Sequence, residues 1–159
     1  MTDNMHTTLS DTSFCRNLPR EIVDVLSGKG ETRTLPAHTV LFKEGEMHDF
    51  VYLVLQGRIV LDIFVQGRGH VELQTLSDGE FLGWSPLIMQ SPMSVRATTL
   101  TDTVLAKFKA EQLRELCEQN HEFGYYFMKQ VAAAFVKRLR ATRIQMLDLF
   151  AHPNDEPKS

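Results

Sequence analysis

The residues best suited to chemistry form a turn, Gly83-Trp84-Ser85-Pro86, which follows the short apolar pair Phe81–Leu82. Glycine lets the backbone bend or approach a ligand closely, serine is a favourable helix N-cap, and proline suits the first position of a helix. The free N–H groups at the start of such a short helix can hold an anion. The alternative is a corner turn that binds nothing, and these four residues alone favour that plainer interpretation.

Catalytic and metal-binding patterns are absent from the sequence. Its two cysteines form no CxxC pair, and its six histidines form no closely spaced pair and no cluster with a carboxylate. No metal site is therefore predicted. The sequence also lacks a nucleophile elbow, a phosphate-binding loop and a dinucleotide fingerprint. A small β-roll enzyme is thus a disfavoured alternative, and the sequence predicts a protein that is not an enzyme.

Composition and charge narrow the class of protein. The chain has 159 residues, of which 43% are hydrophobic and 23% charged, which suits one globular domain with a core. A net charge of -3 argues against a whole-surface attraction to nucleic acid or to an anionic membrane. A basic cluster at Lys137, Arg138, Arg140 and Arg143 offers a local site for DNA or an anionic ligand, but a solvated helix face is the preferred interpretation.

The sequence contains neither a predicted membrane span nor a predicted signal peptide, and these two features bear on the cellular location. No apolar run reaches the length of a membrane span, and residues 1–10 contain no apolar signal-peptide region. Two widely separated cysteines are typical of free thiols in a reducing compartment. We therefore expect a cytoplasmic protein that does not contact a membrane.

Short β-type runs surround the turn. One short helix is predicted at Arg20–Leu26 before them, and a glycine-rich hairpin loop at residues 66–70 among them. The predicted strands are Thr39–Lys43, Val51–Leu55, Ile59–Val65, Val71–Leu76, Phe81–Leu82, Ser94–Thr99 and Val104–Phe108. Strands this short and this regularly spaced predict a mainly β protein, built as a small antiparallel sandwich or barrel.

From Ala110 the apolar period becomes helical. A short helix is predicted at Ala110–Gln119, and a second helix of about thirty residues, roughly 45 Å long, follows Asn120. Its apolar stripe recurs at spacings of four and three: Phe127, Val131, Phe135, Leu139, Thr142, Met146 and Leu149. A small barrel cannot cover so long a helix. We therefore expect a homodimer, and its candidate interface residues are Phe135, Leu139, Thr142 and Met146. A helix folded across its own barrel is the alternative.

The two ends of the chain are polar. The sequence predicts a flexible N-terminal tail over residues 1–16, one domain over residues 17–150, and a disordered tail over residues 151–159.

The order of these elements resembles the cyclic nucleotide-binding domain, and in particular the sensor domain of the catabolite activator (Crp/Fnr) family of bacterial regulators. The resemblance covers about residues 18–150. Four segments carry it: Leu41–Glu46, Tyr52–Gly57, Asp78–Gly83 and Val95–Ala97. It implies an antiparallel, jelly-roll-like β-roll flanked by an N-terminal helix and a long C-terminal helix.

The same resemblance implies a degenerate phosphate-binding cassette. In the family, a glutamate follows the glycine that matches Gly83 and holds the ribose hydroxyl, whereas this sequence has Trp84. The family's arginine for the cyclic phosphate falls where this sequence has Met93-Ser94, in a loop about two residues shorter. Arg96 lies in the strand that follows. A cyclic nucleotide is therefore a disfavoured ligand, no other cofactor is expected, and the indole of Trp84 is predicted to be buried.

Two residues of the long helix also match positions that meet the ligand in the family. Thr142 matches a threonine brought to the purine, although a packing role for this small side chain is the preferred interpretation. Arg143 stands where related activators often have a serine that reaches the partner's ligand. The candidate ligand-binding residues are Gly83, Trp84, Ser85, Ser94, Arg96, Thr142 and Arg143.

The function predicted from these features is that of a stand-alone regulatory or sensor module, which acts through a protein partner or a non-standard ligand. One alternative is a genuine sensor of a cyclic nucleotide or cyclic dinucleotide, in which Arg96 or Arg143 supplies the cation of a rearranged site. Another is a fragment of a Crp/Fnr-type transcription regulator. Too few residues follow Leu149 for a winged helix-turn-helix, so direct DNA binding is not expected.

Overall fold

Helices flank a β-roll in the computed structural model, which describes residue 5 and residues 8–151. The helices are α1 (Arg20–Ser27), α2 (Ala110–Gln119) and α3 (His121–Ala151). The strands are β1 (Glu31–Leu35), β2 (Val40–Phe42), β3 (Phe50–Gln56), β4 (Ile59–Val65), β5 (Gly69–Leu76), β6 (Phe81–Leu82), β7 (Arg96–Thr99) and β8 (Thr103–Lys109). One wide π-helical turn, Ser85–Met89, separates β6 from β7.

The strands form two four-stranded antiparallel sheets. Their orders are β1-β8-β3-β6 and β2-β7-β4-β5. Long pairings join β3 to β8 at the centre of the first sheet and β4 to β5 at one edge of the second. This arrangement confirms the predicted β-roll with a long C-terminal helix.

Two apolar clusters hold the fold together. The first lies inside the roll, where Phe42, Ile59, Leu76 and Leu105 from strands of both sheets are fully buried. The second fills the space between the β1-β8-β3-β6 sheet and the helices. Its largest members are the rings of Phe14, Phe81, Trp84, Phe108, Phe123 and Phe127. Because burial of one large apolar side chain contributes about 1.5–3 kcal/mol, these rings anchor α3 firmly to the roll.

The N-terminal segment differs from the flexible tail that the sequence predicts for residues 1–16. Leu9, Phe14 and Cys15 are at most 5% exposed and belong to the second cluster. The Phe14 ring lies 4.9 Å from the ring of Phe81 and 5.9 Å from that of Phe127. Burial also raises the pKa of the Cys15 thiol to about 11. The few apolar residues of this polar stretch are the ones that dock, which is why composition alone missed the contact.

The long helix α3 packs on the roll only through its first part. Phe123, Phe127 and Val131 are buried, whereas the side chains from Leu139 to Ala151 are exposed. The exposed apolar side chains include Phe135, Val136, Leu139, Ile144, Met146, Leu147, Leu149 and Phe150. None of the described helices combines the length and the apolar content that a membrane span requires. The predicted tail over residues 151–159 falls outside the described residues, except for Ala151, which ends the helix.

Candidate functional site

The candidate site is built on the turn that follows β6. Gly83 has φ +87°, a conformation that side chains with a Cβ rarely adopt, and an added Cβ would lie 3.1 Å from the carbonyl oxygen of Phe50. A glycine is therefore required here. The chain then enters the π-helical turn at Ser85–Met89 and leaves it through Gln90, which has φ +48°. This tight geometry directs the residue after Gly83 inward.

That residue, Trp84, forms part of the core. Its side chain is 8% exposed, and its ring stacks on Phe81 with centroids 4.4 Å apart and an interplanar angle of 17°. The ring of Phe135, on α3, lies 5.2 Å away on a tilted plane. The predicted burial of the indole is confirmed. Its Nε1 is buried and has no hydrogen-bond partner in the described part of the chain.

A cavity of about 410 Å³ opens beside Trp84. Its walls come from β2, β4, β6, the π-helical turn, the loop before β7 and the helix α3. The lining residues are Phe42, Leu61, Leu82, Gly83, Trp84, Ser85, Ile88, Met89, Met93, Ser94, Val95, Phe135 and Arg138. Most of these side chains are apolar, and Arg138 is the charged one among them. The cavity therefore combines apolar walls with a single cation.

Four of the predicted ligand-binding residues come together here, since Gly83, Trp84, Ser85 and Ser94 all line the cavity. The loop that carries Ser94 is held in place by Met93, whose backbone N–H and carbonyl bond to the segment at residues 45–46 over 2.9 and 2.7 Å. The Met93 side chain is 3% exposed and packs into the roll. The position expected for a phosphate-binding arginine is thus occupied by a core methionine.

Arg96 does not line the cavity. Its Nη2 and Nε atoms donate to the carboxylate of Asp62 over 2.9–3.1 Å, and Asp62 is 5% exposed. The Nδ1 atom of His70 lies 2.9 Å from the same carboxylate. A guanidinium in a paired geometry of this kind is committed to its carboxylate. Arg96 therefore ties β7 to β4 and is not free to meet a ligand in the cavity.

The two predicted residues of α3 also lie outside the cavity lining. Thr142 is exposed, and its Oγ1 donates to the carbonyl oxygen of Arg138 over 3.0 Å. Arg143 is exposed on the part of α3 that extends beyond the roll.

Arg138 lines the cavity, although the sequence placed it only in a basic cluster for which a solvated helix face was the preferred interpretation. Its side chain is half-buried, its Nη2 donates to the carbonyl oxygen of Phe81, and its guanidinium carbon lies 6.0 Å from the centre of the Trp84 ring. Burial lowers the pKa of this guanidinium, while the more distant carboxylate of Glu80 acts to raise it. The signal that could have identified Arg138 is its spacing of three from Phe135 and seven from Val131, which places all three on one face of α3.

A second polar pair lies behind the wall formed by Phe42. The Nε2 atom of His48 is 2.8 Å from the hydroxyl of Tyr52, and the imidazole lies 5.4 Å from the ring of Phe42. Burial lowers the pKa of His48, with the carboxylate of Glu46 acting in the opposite direction. Burial also raises the pKa of Tyr52 to about 12. Both side chains therefore stay neutral near pH 7. They pack as a hydrogen-bonded pair beside Phe42, which lines the cavity.

Comparison with known proteins identifies the architecture. The sequence profile of a family described as "Cyclic nucleotide-binding domain" matches residues 32–120. A search of curated proteins found no match. Among solved structures, a cyclic nucleotide-binding domain from Methylobacillus flagellatus KT superposes with a TM-score of 0.79 at 17% identity, covering 92% of this chain and 83% of that one.

Two further structures link the fold to bacterial regulators. The Thermus thermophilus catabolite activator protein gives a TM-score of 0.68 at 25% identity. The superposition covers 91% of this chain and 63% of the activator. The N-terminal domain of a transcriptional regulator from Streptomyces coelicolor A3(2) gives a TM-score of 0.68 at 24% identity, with coverages of 87% and 94%. The resemblance drawn from the four sequence segments is thereby confirmed.

Proposed function

This chain belongs to the cyclic nucleotide-binding domain family, and on that premise we propose that it is a regulatory or sensor module in which a non-standard ligand or a protein partner replaces cyclic AMP. The family is one of regulatory binding domains. The residues that line the cavity include no nucleophile with an adjacent base, which supports binding and not catalysis.

The observation that carries the proposal is the packing of Trp84. The resemblance assigns this position to a carboxylate that holds the ribose, but here an indole lies between the rings of Phe81 and Phe135. No carboxylate lines the cavity. Phosphate recognition is affected as well, because Met93 packs into the core and Arg96 is paired with Asp62. Loss of a charged hydrogen-bonding partner typically costs a site about 1.5–3 kcal/mol, and here two are replaced.

Calorimetric titration with cyclic AMP, cyclic GMP and a cyclic dinucleotide tests this function. We expect no binding at low micromolar concentration, because the ribose and the cyclic phosphate both lack the partners that the family provides. A dissociation constant in the low micromolar range, or below it, for any of the three would overturn the proposal. That result would favour the alternative of a genuine nucleotide sensor with a rearranged site.

A homodimer through α3 is part of the proposed function. Phe135, Leu139 and Met146 are 43–52% exposed although they follow the apolar stripe of the helix, and Thr142 lies between them on the same stripe. A second copy of α3 would cover these side chains at the spacing that a two-stranded coiled coil requires. Phe135 also lines the cavity. The dimer would therefore place a residue of the cavity wall at the subunit interface, which is a suitable arrangement for a regulatory module.

A further inference from the structure

The cavity beside Trp84 offers a ligand mainly apolar contacts. Phe42, Leu61, Leu82 and Met93 are each at most 8% exposed and present hydrocarbon or aromatic surface. Its volume of about 410 Å³ falls within the range of roughly 300–1,000 Å³ found for small-molecule sites. Apart from the enclosed indole N–H of Trp84, the neutral polar groups of the side chains on its wall are the hydroxyls of Ser85 and Ser94. A ligand rich in hydroxyls and ring nitrogens, such as a nucleoside, would leave most of its polar atoms without partners.

The charge at this cavity is not balanced. No carboxylate in the described part of the chain lies within 4.0 Å of the Arg138 guanidinium. Its recorded hydrogen bond goes to the neutral carbonyl oxygen of Phe81. Glu80 acts on it only from a greater distance. Since a partly buried charge is costly unless it is paired, and a guanidinium carries five N–H donors, this site can accept an anion.

The indole N–H of the neighbouring Trp84 is also unpaired within the described structure. Trp84, which shares the cavity wall with Arg138, has a buried Nε1–H without a partner among the residues that the structure describes. An unpaired buried donor costs about 1–3 kcal/mol. Because this N–H is enclosed by protein atoms, the guanidinium of Arg138 is the donor group that a ligand with acceptor oxygens would meet in the cavity.

We propose that the cavity binds a small organic anion with an apolar body, of the class of medium-chain or aromatic carboxylates, whose carboxylate pairs with Arg138 while its hydrocarbon part lies against Phe42, Leu61 and Leu82. This inference rests on the proposed function, because it names the non-standard ligand of the same module. A carboxylate matches the guanidinium geometrically and can accept two parallel N–H bonds. The apolar body accounts for the walls, which a free inorganic anion would leave unused.

The test compares charged and neutral probes of the same shape. Decanoate and 2-naphthoate are titrated calorimetrically into the unmodified protein beside decan-1-ol and 2-naphthylmethanol, while the emission of Trp84, the sole tryptophan, is followed. We expect at least one carboxylate to bind once per chain, to shift the Trp84 emission, and to bind about tenfold or more tightly than its alcohol, as a charged hydrogen bond implies.

Variants assign the effect to one side chain. Arg138→Gln should bring the affinity for the carboxylate down to that of the alcohol, a loss of about tenfold or more, whereas Arg138→Lys should keep part of the preference. Arg140→Gln is the matched control, because Arg140 is exposed on the same helix two residues away. It should leave the affinity unchanged. The thermal transition of each variant shows whether the fold is retained, and the lysine variant keeps the test decisive if the glutamine variant unfolds.

The possible results distinguish failure of the carboxylate site from failure of the proposed function. Equal binding of acids and alcohols, binding that Arg138→Gln does not weaken, or no binding of either acid would overturn the carboxylate site and leave the proposed function standing. Tight binding of cyclic AMP would overturn the proposed function itself. Preference for the acid that depends on Arg138 but not on Arg140 would support both.

Discussion

Two arginines near the turn have different roles because of what lies beside each. Arg96 meets the buried carboxylate of Asp62 in a paired geometry, so its charge is balanced within the β-roll. Arg138 meets a neutral carbonyl and the face of Trp84, so its charge has no close counterpart in the described structure. Arg96 therefore links two strands through an ion pair, whereas Arg138 presents a cation without a nearby carboxylate to the cavity.

Removal of the indole should destabilise the protein strongly. Trp84→Ala deletes a ring that stacks on Phe81 and contacts Phe135, and large aromatic deletions of this kind cost about 3–5 kcal/mol. Urea denaturation followed by far-ultraviolet circular dichroism measures the loss. Trp84→Phe is the control and should cost clearly less, because it keeps a stacked ring. An unchanged midpoint in the alanine variant, or emission of the unmodified protein near that of free tryptophan, would contradict the packing described here.

His48 should make stability depend on pH in the acid range. Burial lowers its pKa below the ordinary value of 6.5, so the unfolded chain binds the proton more readily than the folded one. The free energy of unfolding is therefore fully retained above about pH 6.5 and falls as the pH drops through the unfolded pKa towards the lower folded pKa. His48→Gln should flatten the decline between about pH 7 and pH 5. His121→Gln, at an exposed position, is the control. Identical slopes in the His48 variant and the unmodified protein would exclude this role.

At the scale of elements, α3 has two parts with different environments. The part with Phe123, Phe127 and Val131 is buried on the roll, and the part from Leu139 onward is exposed on all sides. A helix in a protein gains most of its stability from packing of its apolar face against other elements. Within the described structure the exposed part has no such packing, and in the proposed dimer a second copy of α3 covers its apolar stripe.

Disruption of the stripe should separate two chains without unfolding either. Leu139→Glu places a charge at the centre of the proposed interface, where burial without a counter-ion is unfavourable. Analytical ultracentrifugation should show a dimer for the unmodified protein and a monomer for the variant, with unchanged Trp84 emission. Ala141→Glu introduces the same charge on the opposite side of α3 and should remain dimeric. An unmodified protein that sediments as an 18.2 kDa species at high concentration would rule out the dimer.

The elements that sequence predicted well are those whose pattern is local. The bounds of β4 and α2 agree with the predicted Ile59–Val65 and Ala110–Gln119. Strand β1 was missed because Glu-Thr-Arg-Thr at residues 31–34 is polar and exposed, and only pairing with β8 makes it a strand. The sequence placed Arg138 in a basic cluster but did not predict its position at the cavity, for a related reason. That position depends on how α3 crosses β6, a long-range contact that spacing along the chain does not define.

Over the whole molecule, one aromatic cluster joins parts that are distant in sequence. Phe81 contacts Phe14 from the N-terminal segment, Phe108 from β8 and Phe127 from α3, as well as Trp84. Because protein interiors are packed to the density of organic crystals, these rings cannot move independently. The N-terminal segment, the β1-β8-β3-β6 sheet and α3 therefore share one core.

Loss of the N-terminal ring should consequently weaken the entire fold. Phe14→Ala removes contacts to both Phe81 and Phe127 and should lower the free energy of unfolding by about 3–5 kcal/mol. Arg16→Ala, at an exposed position two residues on, should change it by less than about 0.5 kcal/mol. Calorimetric melting measures both. Equal melting temperatures for the two variants would show that the segment does not take part in the core.

The ring of Phe81 connects the cavity to the N-terminal segment, because it contacts both Trp84 and Phe14. A molecule that displaces the Trp84 indole must also displace its stacking partner, and Phe81 in turn supports Phe14 on the far side. Occupancy of the cavity should thus alter the local opening equilibrium of residues 9–18. Backbone amides in that segment, such as the N–H of Arg16 that donates to the carbonyl of Thr12, would exchange with deuterium at a rate set by what fills a cavity they do not line.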